Sequence, residues 1–286
     1  MFVITGITGN IGGELARTLL REGRPVRAVV RDAAKGESWE QNGCEIAVAD
    51  VNDAAALAKA FKGAEGVFIL MPPVFDPSPG FSEARAFAAN MKYALEVAKP
   101  GKVVYLSTIG ADAKQENLLT QHTIAEQALR GVELPITFLR PAWFMENASW
   151  DVGPAREQGV VPSFLQPLDR AVPMVATADI ARLAAELIQE NWTGSREVEL
   201  EGPRRITPNE IAATFARLLG REVKTEVVPR ETWERLFVGQ GMKNPTPRIQ
   251  MLDGFNQGWI EFADGGAHAR KGATELETVL KGLIAR

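Results

Sequence analysis

The first thirteen residues, MFVITGITGNIGG (1–13), combine a short apolar run with four glycines. The apolar run predicts a β-strand, and the periodic pattern from Gly12 to Arg21 predicts an amphipathic helix soon after it. Gly6, Gly9 and Gly12 therefore occupy the turn between a strand and a helix. Such a turn lets the main chain approach a pyrophosphate at the helix N-terminus, where free amides and the helix dipole attract negative charge.

The same alternation of strand and helix continues to about Pro141, which is typical of parallel βαβ units. The predicted strands are Phe2 to Thr5, Val26 to Val30, Cys44 to Ala49, Gly66 to Met71, Lys102 to Ser107 and Pro135 to Arg140. Helical spacing of apolar residues is found in Gly12 to Arg21, Asp53 to Phe61, Ser82 to Ala98 and Leu118 to Leu129. The sequence therefore predicts the α/β class, with a doubly wound parallel Rossmann sheet.

After Pro141 the alternation weakens, and proline, tryptophan and methionine become frequent. Further helices are predicted at about Ala178 to Glu190, Pro208 to Leu219 and Arg230 to Val238. We predict an NAD(P)-binding Rossmann domain over residues 1–150 and a smaller C-terminal α/β substrate lobe over residues 151–286. Part of the second region, about 176–202, is expected to return to the Rossmann sheet through the strand Val198 to Gly202.

The glycine turn has two interpretations. It is either a tight turn with no further role, or a binding site for a nucleotide. Its place at the first strand-to-helix turn of a βαβ series favours the nucleotide, and no Gly-Lys-Ser/Thr follows that would make it a Walker A loop. We expect the third glycine to let the helix pack on the sheet. The residues expected to contact a dinucleotide here are Gly6, Thr8, Gly9, Asn10, Ile11 and Gly12.

The residue that follows the second strand indicates which dinucleotide binds. Enzymes that use NAD usually carry Asp or Glu at this position for the ribose hydroxyls, whereas this chain has Arg31, with Lys35 in the next turn. A cation suits a 2′-phosphate, so the sequence predicts NADP, with NADPH preferred over NADH. The alternative is that Arg31 only pairs with Asp32 at a solvated strand end.

Two more strand ends are candidates for cofactor contacts. Asp50 and Val51 end the third strand, where a carboxylate and a backbone amide could meet the adenine edge; Asp50 could equally cap the following helix. Met71, Pro72 and Pro73 end the fourth strand, where the nucleotide would cross the sheet edge. A purely structural turn remains the alternative there.

Together these residues resemble the NmrA-like branch of the atypical short-chain dehydrogenase/reductase family. The similarity lies in the TGITGNIGG turn, Arg31, and the stretches VVYLSTIGA, ITFLRPAWFMEN and VPMVATADIA, the last containing Asp179. They span about two-thirds of the chain. The resemblance implies either an NADPH-dependent quinone or dye reductase or a non-enzymatic regulator that senses NADP, and it does not choose between them.

Short-chain dehydrogenases ordinarily use a Tyr-x-x-x-Lys pair, which this chain lacks, because neither Tyr93 nor Tyr105 has a lysine four residues later. At the corresponding place stand Gln121, His122 and Glu126. His122 is a candidate proton donor, since imidazole titrates near neutrality; the alternative is an ordinary helical residue. Ser107 is a second catalytic candidate and could also contact nicotinamide, or it could simply satisfy loop amides.

A quinone can accept hydride and take its protons from water, so a tyrosine acid is dispensable for its reduction. We expect nicotinamide in the crevice near Pro141 and Phe144, and Trp143 and Phe144 as a flat wall for an aromatic acceptor. The first prediction is therefore an NADPH-dependent quinone reductase without flavin or metal. The alternative is an NADP-sensing regulator with a protein partner, and an epimerase or dehydratase ranks third.

Composition limits the other possibilities. With 45% hydrophobic residues, 24% charged residues and a net charge of -4, neither nucleic acid nor a membrane is an expected partner. The two histidines, His122 and His268, are far apart, so we predict no metal site. One cysteine, Cys44, and the lack of a leader-like or membrane-spanning stretch predict a cytoplasmic protein.

Overall fold

The computed structural model describes residues 1–286 and contains twelve strands and eleven α-helices. The strands are β1 (Phe2–Ile4), β2 (Val26–Val30), β3 (Glu45–Val48), β4 (Gly66–Leu70), β5 (Val103–Leu106), β6 (Ile136–Pro141), β7 (Trp143–Phe144), β8 (Val160–Ser163), β9 (Met174–Val175), β10 (Ser195–Glu201), β11 (Lys224–Val227) and β12 (Arg270–Lys271). The helices are α1 (Asn10–Arg21), α2 (Glu37–Gln41), α3 (Ala54–Phe61), α4 (Ser82–Ala98), α5 (Thr120–Arg130), α6 (Val152–Glu157), α7 (Thr177–Gln189), α8 (Pro208–Leu219), α9 (Trp233–Gly239), α10 (Thr246–Gln257) and α11 (Leu276–Ile284).

Eight strands form one parallel sheet in the order β12, β10, β6, β5, β4, β1, β2, β3. β1 pairs with β2 on one side and with β4 on the other, so the order of the strands reverses at β1. In doubly wound sheets, ligands bind in the crevice that such a reversal opens at the carboxyl ends of the strands. The predicted fold class is confirmed, and its crevice lies where β1 enters the glycine turn.

Both faces of the sheet are covered, which explains why its central strands are apolar throughout. Successive residues of β1 enter different cores: Phe2 and Ile4 pack in one cluster, and Val3 packs in the other. The first core includes α1 and α7, which pack against each other, and the second includes α3, α4 and α5. None of the helices has the length and apolar character needed to span a lipid bilayer.

The second half of the chain contributes both to this sheet and to a lobe beside it. β10 pairs in parallel with β6, and β12 extends the sheet beyond β10. The remaining strands form two short pairs, β8 with β11 and β7 with β9. A separate small core joins α9 and α10 through Trp233, Phe237, Ile249 and Leu252. The division at residue 150 stays a prediction.

The six strands predicted up to Pro141 are all present, with ends within one residue of the prediction. The predicted helices are also present, and the last of them begins with a 3₁₀ turn at Arg230–Thr232 before α9. The sequence analysis also predicted short strands between the helices of the second lobe, without bounds, and β10 and β11 lie there. It did not predict α2, α6, α10 or α11.

Candidate functional site

The turn between β1 and α1 is closed by contacts with a single carbonyl oxygen. Gly6 has a φ of +65°, a conformation that glycine adopts without strain, and its oxygen accepts a hydrogen bond from the Gly9 amide at 3.0 Å. A Cβ on Gly12 would lie 2.4 Å from the same oxygen. The close approach at Gly12 is therefore made within the turn, which corrects the expectation that this glycine serves helix-to-sheet packing.

Gly9 differs from its neighbours because the protein itself does not require a glycine there. A Cβ on Gly9 would meet only the Gly6 oxygen, at the ordinary contact distance of 3.4 Å. α1 starts at the next residue without a side-chain cap, and the amides of Asn10, Ile11 and Gly12 donate no hydrogen bond within the protein. Three free amides at a helix N-terminus form a site for an anion such as a phosphate.

The side chains around these amides divide into two groups. Thr8 and Asn10 are exposed, whereas Ile11 is buried in the core beneath α1. Ile11 can therefore offer a ligand only its main chain, while Thr8 and Asn10 can offer polar side chains. That these residues contact a dinucleotide stays a prediction.

The cations at the carboxyl end of β2 are free of protein partners. Arg31 and Lys35 are exposed, and neither side chain forms a hydrogen bond or an ion pair. Asp32 does not pair with Arg31; its carboxylate accepts the Ala34 amide at 3.0 Å and caps the 3₁₀ turn Ala33–Gly36. The alternative of an Arg31–Asp32 pair is therefore wrong, and the Arg31 guanidinium is available to a ligand.

At the end of β3, Asp50 folds back on its own loop. Its Oδ1 accepts hydrogen bonds from the amide and the side-chain nitrogen of Asn52, at 2.8 and 2.9 Å. Asp53, not Asp50, caps α3, by accepting the Ala56 amide. The Val51 oxygen accepts a bond from Asn90. The capping alternative for Asp50 is thus wrong, and its proposed contact with adenine stays a prediction.

The end of β4 is hydrogen-bonded to the end of β1, where the order of the strands reverses. The Leu70 amide donates to Thr5 Oγ1 at 2.9 Å. Beyond it, Met71 is buried, Pro72 is half-buried and Pro73 is exposed. The chain therefore leaves the core at this point and borders the crevice.

The predicted catalytic residue Ser107 is engaged in a buried polar network. Its hydroxyl donates to Glu126 Oε1 at 2.6 Å, and Arg140 donates to both oxygens of Glu126 at 2.9 and 2.7 Å. Arg130 and Asp112 extend the network to the surface. Burial acts to raise the pKa of Glu126, but the bonds and charge of Arg140 lower that pKa overall. The Ser107 hydroxyl therefore donates its proton in a hydrogen bond to the ionised carboxylate of Glu126.

His122 lies one helical turn before Glu126 and contacts β5 as well. Its Nδ1 is 2.9 Å from the hydroxyl oxygen of Tyr105, which is fully buried. Burial raises the pKa of Tyr105 and lowers the pKa of His122 to about 4. Because the phenol has no other partner, its proton is assigned to the bond with Nδ1, which leaves the His122 proton on Nε2. His122 is then a neutral N–H donor near pH 7, and its catalytic role stays a prediction.

The predicted acceptor wall follows β6 directly. Pro141 is buried, whereas Trp143 and Phe144 are half-buried in β7, and Trp143 packs edge-on against Phe255 with ring centroids 5.1 Å apart. Trp143 also packs against the α9–α10 core. Of the other aromatic residues, Trp233 and Phe237 are fully buried, and Trp150 is 82% exposed. Trp143 and Phe144 are therefore both partly exposed and packed against the main core, and Trp143 also contacts the α9–α10 core.

Two loops at the carboxyl ends of β4 and β5 are bonded to the second lobe. The carboxylate of Asp76 accepts the amides of Lys243 and Asn244 at 2.8 and 2.7 Å, and the Leu118 amide donates to the Pro247 oxygen at 2.8 Å. The start of α10 is thereby fixed against both loops, so the second lobe closes the edge of the crevice.

Several of these residues escaped the sequence analysis. Arg140 could have been found, because an arginine among apolar strand residues in ITFLRP indicates a buried ion pair. Asp76 lies in a loop rich in proline, and nothing local indicates its distant partners. Asp179, quoted in the VPMVATADIA motif, has a structural place: it accepts the amide and hydroxyl of Thr274 at 2.9 and 2.8 Å.

Known proteins share both the sequence pattern and the fold. The chain is 28% identical over 245 residues to the NAD(P)H azoreductase of Xenophilus azovorans, covering 85% of this chain and 82% of that protein. It is 31% identical over 228 residues to the (4-alkanoyl-5-oxo-2,5-dihydrofuran-3-yl)methyl phosphate reductase of Streptomyces griseus, covering 79% and 76%. The crystal structure of an NADPH-dependent quinone oxidoreductase of Escherichia coli complexed with NADPH superposes with a TM-score of 0.82 and 24% identity, covering 99% of both chains.

The resemblance inferred from the motifs is also tested at the level of the family. The model of the NmrA-like family matches residues 1–257, which include the glycine turn, the Ser107–Glu126–Arg140 network and the α9–α10 core. With this match over most of its length, the chain belongs to the NmrA-like family.

Proposed function

We propose that this protein is an NADPH-dependent reductase that transfers hydride to quinones or related conjugated acceptors. The observation that carries the proposal is the anion site at α1, where three free amides lie beside a glycine that the turn itself does not need. The two sequence relatives are both reductases, one of which is named for NAD(P)H, and the structural neighbour was solved with NADPH. These relatives support the predicted function and cofactor.

The residues present fit a dinucleotide with a 2′-phosphate. The amides of Asn10, Ile11 and Gly12 would hold the pyrophosphate, and Arg31, with Lys35 nearby, would hold the 2′-phosphate. Asp50 and Val51 would border the adenine, and Met71 to Pro73 would border the nucleotide where it crosses the sheet. Because Arg31 has no carboxylate partner in the protein, a bound phosphate would not have to displace one.

The chemistry that NADPH supplies when bound is hydride donation, so that NADPH, a quinone and one proton from water give NADP⁺ and a hydroquinone. The chain lacks a tyrosine that could serve alcohol chemistry. Tyr105 is enclosed in the core and bonded to His122, and Tyr93 lies on the outer face of α4. An acceptor that needs no dedicated phenolic acid therefore suits this site best.

The chain's own residues would orient the acceptor and exclude water. We propose that Trp143 and Phe144 form its flat wall, with Pro141 and Phe144 beside the nicotinamide. His122 would act as a neutral hydrogen-bond donor to an oxygen on the cofactor or the acceptor, and Ser107 would fix the loop after β5 through Glu126. The single buried cysteine suits a reducing compartment, and we propose the cytoplasm as its location and a small aromatic molecule as its partner.

The test is turnover with a panel of acceptors. Purified protein is incubated with NADPH and either quinones or azo dyes, and absorbance at 340 nm is followed, with NADH in parallel. We expect acceptor-dependent oxidation of NADPH that exceeds oxidation of NADH. Tight binding of NADPH without any acceptor-dependent oxidation would reject the reductase and favour the regulator, which no other observation supports.

A variant at the acceptor wall provides a second readout. Trp143→Ala is expected to raise the Michaelis constant for the acceptor by more than it raises the dissociation constant for NADPH. Trp150→Ala is the matched control, because Trp150 is exposed. Equal effects of the two variants would remove Trp143 from the acceptor site.

A further inference from the structure

An arginine in the second lobe lies among apolar side chains without a counter-ion. Arg248 belongs to the first turn of α10 and is half-buried. Its guanidinium carbon lies 4.4 Å from the centroid of the Phe237 ring, and its Nη1 is 3.8 Å from the sulfur of Met242. No carboxylate lies within 4.0 Å of it, and burial lowers the pKa of Arg248.

The other buried and half-buried arginines of this protein have oxygen acceptors, which are carboxylates except at Arg170, where the Asn256 carbonyl accepts a hydrogen bond from Nη1. Arg140 pairs with Glu126, and Arg205 pairs with Glu201 and Glu261. A charge that is partly desolvated without a partner is costly, because the protein replaces none of the lost hydration. Arg248 is therefore not explained by the internal ion pairs of the fold.

The guanidinium of Arg248 keeps hydrogen-bonding capacity for a ligand. Its Nε and Nη2 form no hydrogen bond in the protein, and they are not among the buried unpartnered atoms, so they remain accessible to solvent. A guanidinium with two free N–H groups on one edge binds a carboxylate, sulfonate or phosphate in a bidentate manner. The ring of Phe237 packs against the guanidinium, and the edge that carries Nε and Nη2 is left for a ligand.

The location of Arg248 connects it with the crevice. Its neighbour Pro247 accepts the Leu118 amide from the loop after β5, and Asn244, just before α10, is bonded to Asp76 in the loop after β4. Of the two residues that contact Arg248, Phe237 belongs to the α9–α10 core, and Met242 packs against that core, as Trp143 does. Arg248 thus lies in the part of the second lobe that is fixed to both crevice loops and shares a core with the proposed acceptor wall.

We propose that Arg248 binds an anionic substituent of the acceptor, so that the preferred substrates are conjugated acceptors carrying a carboxylate, sulfonate or phosphate. This inference rests on the proposed function and defines its substrate class. The stacked rings of the acceptor would lie toward Trp143, and the anionic group would complete the missing ion pair of Arg248.

The test compares two acceptors that share one ring system, 1,4-naphthoquinone and its 2-sulfonate. For each enzyme the ratio of the two Michaelis constants, sulfonated over neutral, is measured with NADPH. We expect Arg248→Met to raise this ratio at least tenfold and Arg248→Lys, which keeps the charge, to raise it less. Arg235→Met is the matched control, since Arg235 is an exposed arginine of α9 in the same lobe, and its ratio is expected to equal that of the wild type.

An unchanged ratio in Arg248→Met would overturn the proposal. If both Michaelis constants rise by the same factor, the ratio is likewise unchanged, and the role of Arg248 is structural. If neither quinone oxidises NADPH, the proposed function fails, and Arg248 is tested by calorimetry instead. Naphthalene-2-sulfonate is titrated into wild type and Arg248→Met, each with and without NADP⁺. Binding by the wild type that is lost in the variant supports the anion site; equal binding, or no binding by the wild type, rejects it. Thermal unfolding verifies that the variants are folded, and Arg248→Lys replaces Arg248→Met if the latter is not.

Discussion

The hydroxyl of Tyr105 on β5 lies 2.9 Å from Nδ1 of His122 on α5. A second contact, between Ser107 and Glu126, joins the same strand and helix two residues later on the strand side and four residues later on the helix. The two contacts match because residues two apart on a strand and four apart on a helix are separated by similar distances, about 6.6 and 6 Å. Burial holds His122 in its neutral form, with consequences for stability and for catalysis.

The stability of the protein is expected to fall on acidification because of His122. Its pKa is about 4 in the folded protein, below the usual value of 6.5, so the unfolded chain binds the proton first as the pH drops. The stabilisation is complete above pH 6.5 and is lost as the pH falls toward 4. Between pH 7.5 and pH 5 the loss is about 2 kcal/mol, measured by urea unfolding at both pH values. His122→Gln should remove that part of the pH dependence.

The control for this prediction is His268→Gln, because His268 is 86% exposed at its side chain and should leave the pH dependence unchanged. If His122→Gln loses as much stability on acidification as the wild type, then His122 is not held neutral. The same assignment predicts that kcat/KM with a neutral quinone shows no titration near pH 6.5.

The buried carboxylate of Glu126 is expected to be essential for stability. Glu126→Gln keeps the size of the side chain but leaves the Arg140 guanidinium without its charged partner in the core. Breaking a buried ion pair in this way costs about 3 kcal/mol or more, which denaturant unfolding would measure. Glu14→Gln, in the exposed pairs of Glu14 with Arg17 and Arg21, should cost less than about 1 kcal/mol. Similar costs for the two variants would contradict the role of Glu126.

Sequence patterns predicted the sheet well because its strands are buried on both faces and read as continuous apolar runs. The glycine turn and Arg31 were also within reach, since both lie at strand ends whose place in the fold follows from the chain order. α10 was missed because its sequence, TPRIQMLDGFNQ, contains proline, glycine and few periodic apolar residues.

The distant contacts of the site could not be read from local sequence. Asp76 and Asn244 are 168 residues apart, and no periodicity links them. The isolation of Arg248 is likewise a property of three-dimensional packing, because Asp253 lies five residues later in the sequence yet pairs with Arg230. Single polar residues in loops acquire their roles from partners that only the fold brings near.

Substitutions at two glycines of the turn are expected to have different effects, one on stability and the other on cofactor binding. Gly12→Ala should destabilise the protein by about 1–3 kcal/mol, because its Cβ would collide with the Gly6 oxygen. Gly9→Ala should leave the unfolding free energy within about 1 kcal/mol of the wild type, yet weaken NADPH binding at least tenfold by filling space before α1. Urea unfolding and calorimetry measure the two effects. Full NADPH affinity in Gly9→Ala would mean that the phosphate does not lie against this residue.

Arg31 is expected to discriminate between the two coenzymes. A charge-assisted hydrogen bond to a phosphate is worth about 1.5–3 kcal/mol, so Arg31→Ala should raise the dissociation constant of NADPH by about tenfold to a hundredfold. The affinity for NADH, which lacks the 2′-phosphate, should change little. Lys35→Ala should have a smaller effect in the same direction, because Lys35 lies one turn farther along the chain.

The control for Arg31 is Lys59→Ala, which removes one positive charge from the exposed side of α3 and corrects for the general loss of attraction to an anionic ligand. Titrations at low and high salt add a second criterion, since the difference between Arg31→Ala and the wild type should shrink as salt screens the charge. Equal losses of NADPH and NADH affinity in Arg31→Ala would show that Arg31 maintains the shape of the site and does not read the phosphate. Preference for NADPH would then have to arise from Lys35 or from the exposed side chains of the turn.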